Sequence, residues 1–460
     1  MFAPTNGGGL SRVADAGGVA APVTKADTDT THRYPEFLPD GRRFLYLVSA
    51  GPTDKNGIYI GSLDGPESRR LIADDANPRY VGPRVGKRNG FLLFVRDGTL
   101  LAQPVDPKSM QPSADPFPVA ENVLAGLPHR SYGLYSASAA GVLAYQPGTD
   151  SERTRLIWID RGGKELGTVG DPSRSGDFAL SPDSKRLLIE RGPETGEFVT
   201  TDLWMDDLEH GTNSRFTFDS STNRRPVWSA DGSRVIFSSG RPKAPGIYSK
   251  ASNGTGQDEL LLPSDSLLPF DWSRDGRFLI YLQIERRNNV VYLGALPLTG
   301  DRKPITLVKS QFNEWMPQLS PDSHWLAYVS DESGRAEVYV QPFAPGAPSV
   351  SAVGKWQIST AGGTEPRWRG DGGELFFVGA DRELMAVEVR AAGLGLNRGT
   401  PVALFRLPGV ENAGARRGRF AYHYQPSTEG KRFLVAKADE PAASRQFLTV
   451  VVNWLAGVKR

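Results

Sequence analysis

The first groups to weigh for chemistry are five histidines, His32, His129, His210, His324 and His423. No two of them stand at the His-x-x-x-His or a similar spacing that puts two imidazoles on one metal ion, so packed or solvated side chains are expected at all five. Cysteine is absent, which removes thiolate metal sites, disulfides and a cysteine nucleophile. The run Gly82-Pro83-Arg84-Val85-Gly86-Lys87-Arg88 is one residue short of a phosphate-binding loop and lacks the hydroxyl residue after its lysine. Asp27-Thr28-Asp29 has neither the glycine nor the distal glutamate of a calcium loop. No Gly-x-Ser-x-Gly nucleophile elbow occurs. The expectation is therefore no catalytic, cofactor-binding or metal-binding residue.

Carboxylates offer a different pattern. Asp40, Asp183, Asp231, Asp275, Asp322 and Asp371 recur in one local context, as in Trp228-Ser229-Ala230-Asp231-Gly232 and Ser320-Pro321-Asp322-Ser323. A pair of carboxylates is what a glycosidase uses. The surrounding residues point instead to a turn: serine opens it, proline pre-sets φ, and aspartate bonds its own backbone. The next position, Ser323 in one copy, must take φ > 0. These six aspartates are expected to form hairpin turns, one per repeat. Two further features remain as a possible contact surface. The basic loop with Arg416, Arg417 and Arg419 is either a solvated insertion or a contact for an anion or acidic partner. Trp315 and Trp356 fall outside the repeated tryptophan position and are either contact or core residues.

The elements that hold these turns follow from their spacing. From Asp183 to Asp371 the intervals are 48, 44, 47 and 49 residues, with weaker copies at Asn89-Gly90, Ala140-Gly141 and Glu429-Gly430. Four short alternating strands per unit at a period near 47 describe a β-propeller blade. In the unit opened by Met316 the strands are expected near 316–319, 325–330, 336–343 and 355–359, and Leu156 to Ile159 is expected as a third strand. A lone blade exposes apolar faces, so each needs flanking neighbours. Trp228, Trp272 and Trp368 share one register and are read as packing between blades. The fold expected is an all-β propeller of about eight four-stranded antiparallel blades in one ring. Counting turns gives nine units, so the alternative is nine units split over two rings or an incomplete ring. Residues 1–34 are expected to be a partial amino-terminal blade that closes or truncates the array, and residues 35–460 the propeller repeats. The carboxyl end is expected to supply the first three strands of a unit, at 420–425, 432–436 and 447–453.

Composition bounds the function. The 460 residues carry 54 basic and 52 acidic side chains, a net charge of +2, which gives no argument for nucleic acid or an anionic membrane. The 51 glycines and 35 prolines separate short apolar runs and read as turn residues. The longest apolar run, 447–458, is too short to span a bilayer, and residues 1–20 do not read as a signal peptide. A soluble monomer is expected, its compartment unknown.

The Ser-Pro-Asp-Gly-like repeats resemble TolB-type, WD-repeat-like propellers. Three stretches resemble more narrowly the carboxyl-terminal propeller region of bacterial transmembrane serine/threonine kinases of the acidobacterial type. They are Gly8-Gly9-Leu10-Ser11-Arg12-Val13 with Gly17-Gly18, His32-Arg33-Tyr34-Pro35-Glu36-Phe37-Leu38-Pro39-Asp40-Gly41, and Leu448-Thr449-Val450-Val451-Val452-Asn453-Trp454. The resemblance implies an extracytoplasmic sensor or binding region. It does not carry kinase activity, because the chain has no Val-Ala-Ile-Lys strand, His-Arg-Asp loop or Asp-Phe-Gly. Two functions are therefore expected in order. The first is a non-catalytic recognition or scaffold module that binds a protein or small molecule at a propeller rim. The second is a lyase- or glycosidase-like enzyme whose acids and bases converge from several blades, which a cluster of carboxylates, His or Tyr in the channel would favour.

Overall fold

A computed structural model describes residues 1–4, 8–27, 30–49, 54–66, 68–83, 88–124, 132–138, 140–147, 153–193, 200–219, 221–285, 290–346, 354–392, 395–408, 420–438 and 448–457. The repeated turn forms as its residues dictate. In one copy Gly232 N–H donates to Ser229 O at 2.9 Å, and Ser229 N–H donates to Arg234 O at 3.0 Å. The residue after the aspartate takes positive φ in every copy: Gly41 67°, Ser184 59°, Gly232 68°, Gly276 74°, Ser323 58° and Gly372 77°. Only glycine enters that region freely, so Ser184 and Ser323 hold it at a cost.

Each turn joins two antiparallel strands, and two more complete a sheet, or three in the sheet led by Gly363–Trp368. The chain divides into two compact units, one of residues 1–151 with 441–460 and one of residues 152–440. The first holds two four-stranded sheets, opened by Thr31–Phe37 and Arg79–Val81. A three-stranded sheet and a two-stranded ribbon of Ser11–Arg12 with Ala21–Pro22 accompany them. In the three-stranded sheet Thr449–Val452 pairs with Val142–Tyr145, Val452 facing Val142.

Among the described residues the second unit holds six sheets. Five run in sequence, led by Ser175–Leu180, Asn223–Trp228, Leu267–Trp272, Glu314–Leu319 and Gly363–Trp368. The sixth is composite, in the order Tyr424–Pro426, Arg432–Ala438, Thr154–Asp160, Glu165–Ser173. Seven residue pairs, from Thr154↔Ala438 to Asp160↔Arg432, join its two halves. The pairing satisfies edge N–H and C=O groups that would otherwise stay open. Leu156 to Ile159 thus takes the third place in its sheet, as its sequence indicates.

Apolar clusters join each sheet of this unit to the next. Leu188 and Phe237 share one cluster, Ile236 and Leu279 another, and Ile280 and Leu326 a third. Ala327 and Leu375 share the fourth, Phe376 and Phe433 the fifth, and Leu434 and Leu187 the sixth. The last cluster links the composite sheet to the first of the six.

Among the described residues the repeat forms nine sheets, three in one unit and six in the other, which is the count of the nine-unit alternative and not that of the eight blades expected first. One expectation needs correction. The carboxyl-terminal strands do not form one sheet: Tyr424–Pro426 and Arg432–Ala438 belong to the composite sheet, and Thr449–Val452 belongs to the other unit. The physical reason is that a strand edge accepts any extended partner, so the order of strands along the chain does not decide which edge they fill.

Candidate functional site

At the turn end of each hairpin the aspartates serve the backbone. Asp231 Oδ1 accepts from Ser229 Oγ at 2.6 Å, Ser233 N at 3.0 Å and Ser233 Oγ at 2.8 Å. These bonds hold its pKa down to about 2. Asp183 accepts from Ser181 Oγ and Lys185 N, Asp275 from Ser273 Oγ and Arg277, and Asp322 from Ser320 Oγ and His324 N. Asp40 accepts from the Arg42 and Arg43 backbone, and Asp371 from Arg369 Nε and Gly373 N. Carboxylates spent on their own turns have little capacity left for an acid–base pair.

A second constellation lies on the leading strands of the six-sheet unit. Five of these strands carry one extra residue against their partner, a β-bulge, between Ser175 and Phe178, Arg224 and Val227, Pro269 and Asp271, Trp315 and Gln318, and Thr364 and Arg367. In three of them a non-glycine residue at φ 55–57° precedes a proline: Arg225-Pro226, Met316-Pro317 and Glu365-Pro366. A bulge re-aims side chains, and here it brings together groups from sequence positions far apart.

Arg225 Nη2 stands 3.3 Å from Asp177 Oδ2, and its guanidinium lies 4.5 Å from the Phe270 ring centre. Phe270 meets Tyr422 edge-on at 6.1 Å, and Arg367 covers the Tyr422 ring at 3.6 Å. His423 Nδ1 pairs with Glu365 Oε1 at 2.5 Å, while His423 N–H donates to Glu365 Oε2 at 2.6 Å and Tyr424 O–H to Glu365 O at 2.8 Å. Tyr422 N–H donates to Asp177 Oδ1 at 3.3 Å. Glu190 reaches in from the second strand, where a Cβ on Gly176 would fall 2.6 Å from its Cδ. Only glycine admits that carboxyl.

Burial governs the titration here. It raises the Glu190 pKa, reinforced by Asp177 and opposed by Arg224 and Arg225. Asp271 is pushed up to about 6 by burial, against backbone hydrogen bonds from Leu319 and Trp272. Both phenols, Tyr422 and Tyr424, are raised by burial as well.

The same strands tie sheet to sheet. Leu319 N–H donates to Asp271 Oδ2 at 2.7 Å, and Leu180 N–H to Gln425 Oε1 at 2.8 Å. Trp228 Nε1–H donates to Ala179 O at 3.0 Å and Trp368 Nε1–H to Gln318 O at 3.3 Å. These two tryptophans pack between sheets as expected. Trp272, half-buried, also packs against the inter-sheet cluster of Ile236 and Leu279, but its indole donates within its own turn, to Gly276 O at 3.3 Å.

Of the possible contact residues, Arg416, Arg417 and Arg419 lie outside the described residues. Trp315 is 5% exposed and packed in an apolar cluster with Met316 and Val338, so it offers no surface; as the leading-strand residue just before Met316, it turns into the core. Trp356 is partly buried, edge-on to Trp325 at 5.5 Å. His210 and His324 are exposed beside Asp207 and Asp322, and His32 and His423 are buried. His129 lies outside the described residues. Among the described residues no group of three His, Asp or Glu is placed to hold a metal ion. Nor is any helix there long and apolar enough to cross a membrane.

Sequence reading missed Asp177, Glu190, Arg225, Asp271, Glu365, Arg367, Tyr422 and His423. A signal was present: the Xaa-Pro pair that recurs just before the turn, with Xaa changing from copy to copy.

Repeated antiparallel sheets, most of them four-stranded, joined by these turns and ties define an all-β repeat chain. The sequence is similar to a Protein TolB homolog of Chlamydia caviae, 25% identical over 201 residues, covering 39% of this chain and 46% of that protein. It is also similar to one of Chlamydia felis, 37% identical over 65 residues, 14% of each chain. The chain thus spans less than half the length of these curated relatives. Among solved structures, the putative TolB from Agrobacterium tumefaciens is 17% identical, with 63% of this chain and 99% of that one covered at a TM-score of 0.46. TolB from Acinetobacter baumannii is 12% identical, with 91% and 80% covered at 0.38. No family model matches.

Proposed function

We propose that the six-sheet unit is a closed six-bladed ring acting as a non-catalytic recognition module, with a protein or small-molecule ligand at one rim. One observation carries this reading: three of the leading-strand acids spend their oxygens on groups of the frame itself. Asp271 takes two backbone N–H groups, Asp177 takes Arg225 and Tyr422 N, and Glu365 takes His423 twice. Groups held this way give a rigid frame, and binding falls to the loops that frame presents. The basic run Arg416, Arg417 and Arg419 is the contact offered to an acidic partner. Affinity capture with the purified chain, followed by titration of the recovered partner, tests this. A stoichiometric complex weakened by reversing those three charges supports the reading; a partner bound equally well by the reversed variant removes that contact.

The narrower assignment, a sensor region of a serine/threonine kinase system, rests on the three stretches at 8–18, 32–41 and 448–454. The reading frame upstream of Met1 tests it: an in-frame kinase domain and membrane segment are expected. The chain itself is expected to transfer no phosphate from ATP.

A second reading is favoured by the His423–Glu365 pair, in which a carboxylate orients an imidazole as in a general base. Their side chains are 7% and 6% exposed, too enclosed to reach a substrate in this conformation. Turnover of an oligosaccharide or ester that is lost in His423→Gln, with folding retained, would establish the enzyme and end the recognition proposal.

A further inference from the structure

The unit of residues 1–151 and 441–460 contains a cavity of about 370 Å³ that the recognition reading does not use. That volume lies within the range of small-molecule sites, roughly 300–1,000 Å³. One wall is aromatic. Phe44 and Tyr46, only 1% and 2% exposed, form its closed back on Arg43–Ser49 with ring centres 5.6 Å apart, and the partly exposed Tyr59 faces Tyr46 across the ladder at 5.8 Å. Phe44 lies over its register partner Gly61, where a Cβ would stand 2.7 Å from the ring. Glycine therefore lets the Phe44 ring lie against the strand backbone.

The rim is polar and carries both signs. Lys55 Nζ and Asp27 Oδ2 pair at 2.8 Å with both side chains more than half exposed, 51% and 66%. His32 Nδ1 stands 2.7 Å from Thr24 Oγ1, and burial lowers the His32 pKa, so its ring enters as an uncharged donor and acceptor. A purely apolar ligand would strand the rim groups without partners. A simple ion would meet its own sign as well as the opposite one. A ring with an apolar C–H face and an edge of hydroxyls satisfies both surfaces, because the electron-rich face of an aromatic ring attracts the positive C–H edge and charged rim groups make the stronger hydrogen bonds.

We propose that this cavity is a carbohydrate-binding site of monosaccharide size, with the sugar face on Tyr59 and its hydroxyls on Asp27 and Lys55. The site lies in the other unit and does not depend on the function proposed for the six sheets.

The test uses the full chain with methyl glucoside, methyl galactoside and N-acetylglucosamine, by saturation-transfer NMR and calorimetry. At least one is expected to bind with Kd of about 1 mM or tighter, with transfer strongest to the ring C–H protons. Asp27→Ala, at an exposed position, is expected to weaken binding about tenfold with an unchanged melting curve. Tyr59→Leu, which keeps an apolar side chain but removes the aromatic face, is expected to do the same. Binding by none of the three sugars, or binding that survives both substitutions, would overturn the proposal.

Discussion

The two ends of the leading strands in the six-sheet unit use the same residue type in opposite ways. At the turn end, Asp231 is an exposed carboxylate pulled down to about 2 by serine and backbone donors two residues away. At the bulge end, Asp271 is pushed up to about 6 by burial, and it bonds the backbone of the next sheet. The turn repeats with little change in each hairpin. The residue three before the close of the strand does not: it is Asp177, Arg225, Pro269, Met316, Glu365 or His423. A group that serves its own turn can be copied with the repeat. A group that meets neighbouring sheets must differ from them, because like charges side by side repel and opposite ones pair.

The largest effect that sharpens this contrast is expected from Glu365→Ala. It leaves the buried His423 Nδ1 and N–H without their acceptor and is expected to cost about 3 kcal/mol or more. Urea denaturation measures it, and a cost no larger than that of a turn aspartate would erase the distinction between the two ends.

Next comes Glu314, which opens another leading strand and whose pKa is pushed from 4.5 up to about 7 by burial. An acid raised in the folded state contributes stability that is fully present below pH 4.5 and is lost as pH rises through about 7. Stability is expected to fall by about 2–3 kcal/mol over that window on this account. Glu314→Gln should flatten the urea midpoint against pH; equal slopes in both proteins would show that the group is not desolvated.

Asp231→Ala is expected to cost about 1 kcal/mol at neutral pH, the scale of a lost capping bond. Its sign with pH is the reverse: the lowered carboxylate contributes stability above pH 3.8 that is lost as pH falls through about 2. Thermal melts at neutral and acid pH read both. The smallest effect is a gain. Ser184→Gly and Ser323→Gly, at φ 59° and 58°, are each expected to stabilise by roughly 0.5 kcal/mol, and a loss in either would mean that the serine side chain matters to its turn.

The turn end was legible from residue types alone, down to the positive φ at Ser323 and the third-strand place of Leu156 to Ile159. The bulge end was visible only as an unexplained Xaa-Pro. The charge at Glu365 means little until His423, 58 residues on, is known to face it. The tryptophans show both cases: Trp228 and Trp368 bond across sheets as their shared register suggests, while Trp272 packs against the cluster between sheets but spends its indole N–H in its own turn.

What the amino-acid order determined by itself was the hairpin, its period and the all-β class, since a serine, an aspartate and a positive-φ position act over five residues and need nothing distant. Only the tertiary structure decided that Arg432–Ala438 pairs with Thr154–Asp160, that the carboxyl-terminal strand Thr449–Val452 goes to Val142–Tyr145, and which buried charges meet. Strand edges pair through a backbone common to all residues, so partner choice comes from packing and register across the whole unit and leaves no local mark.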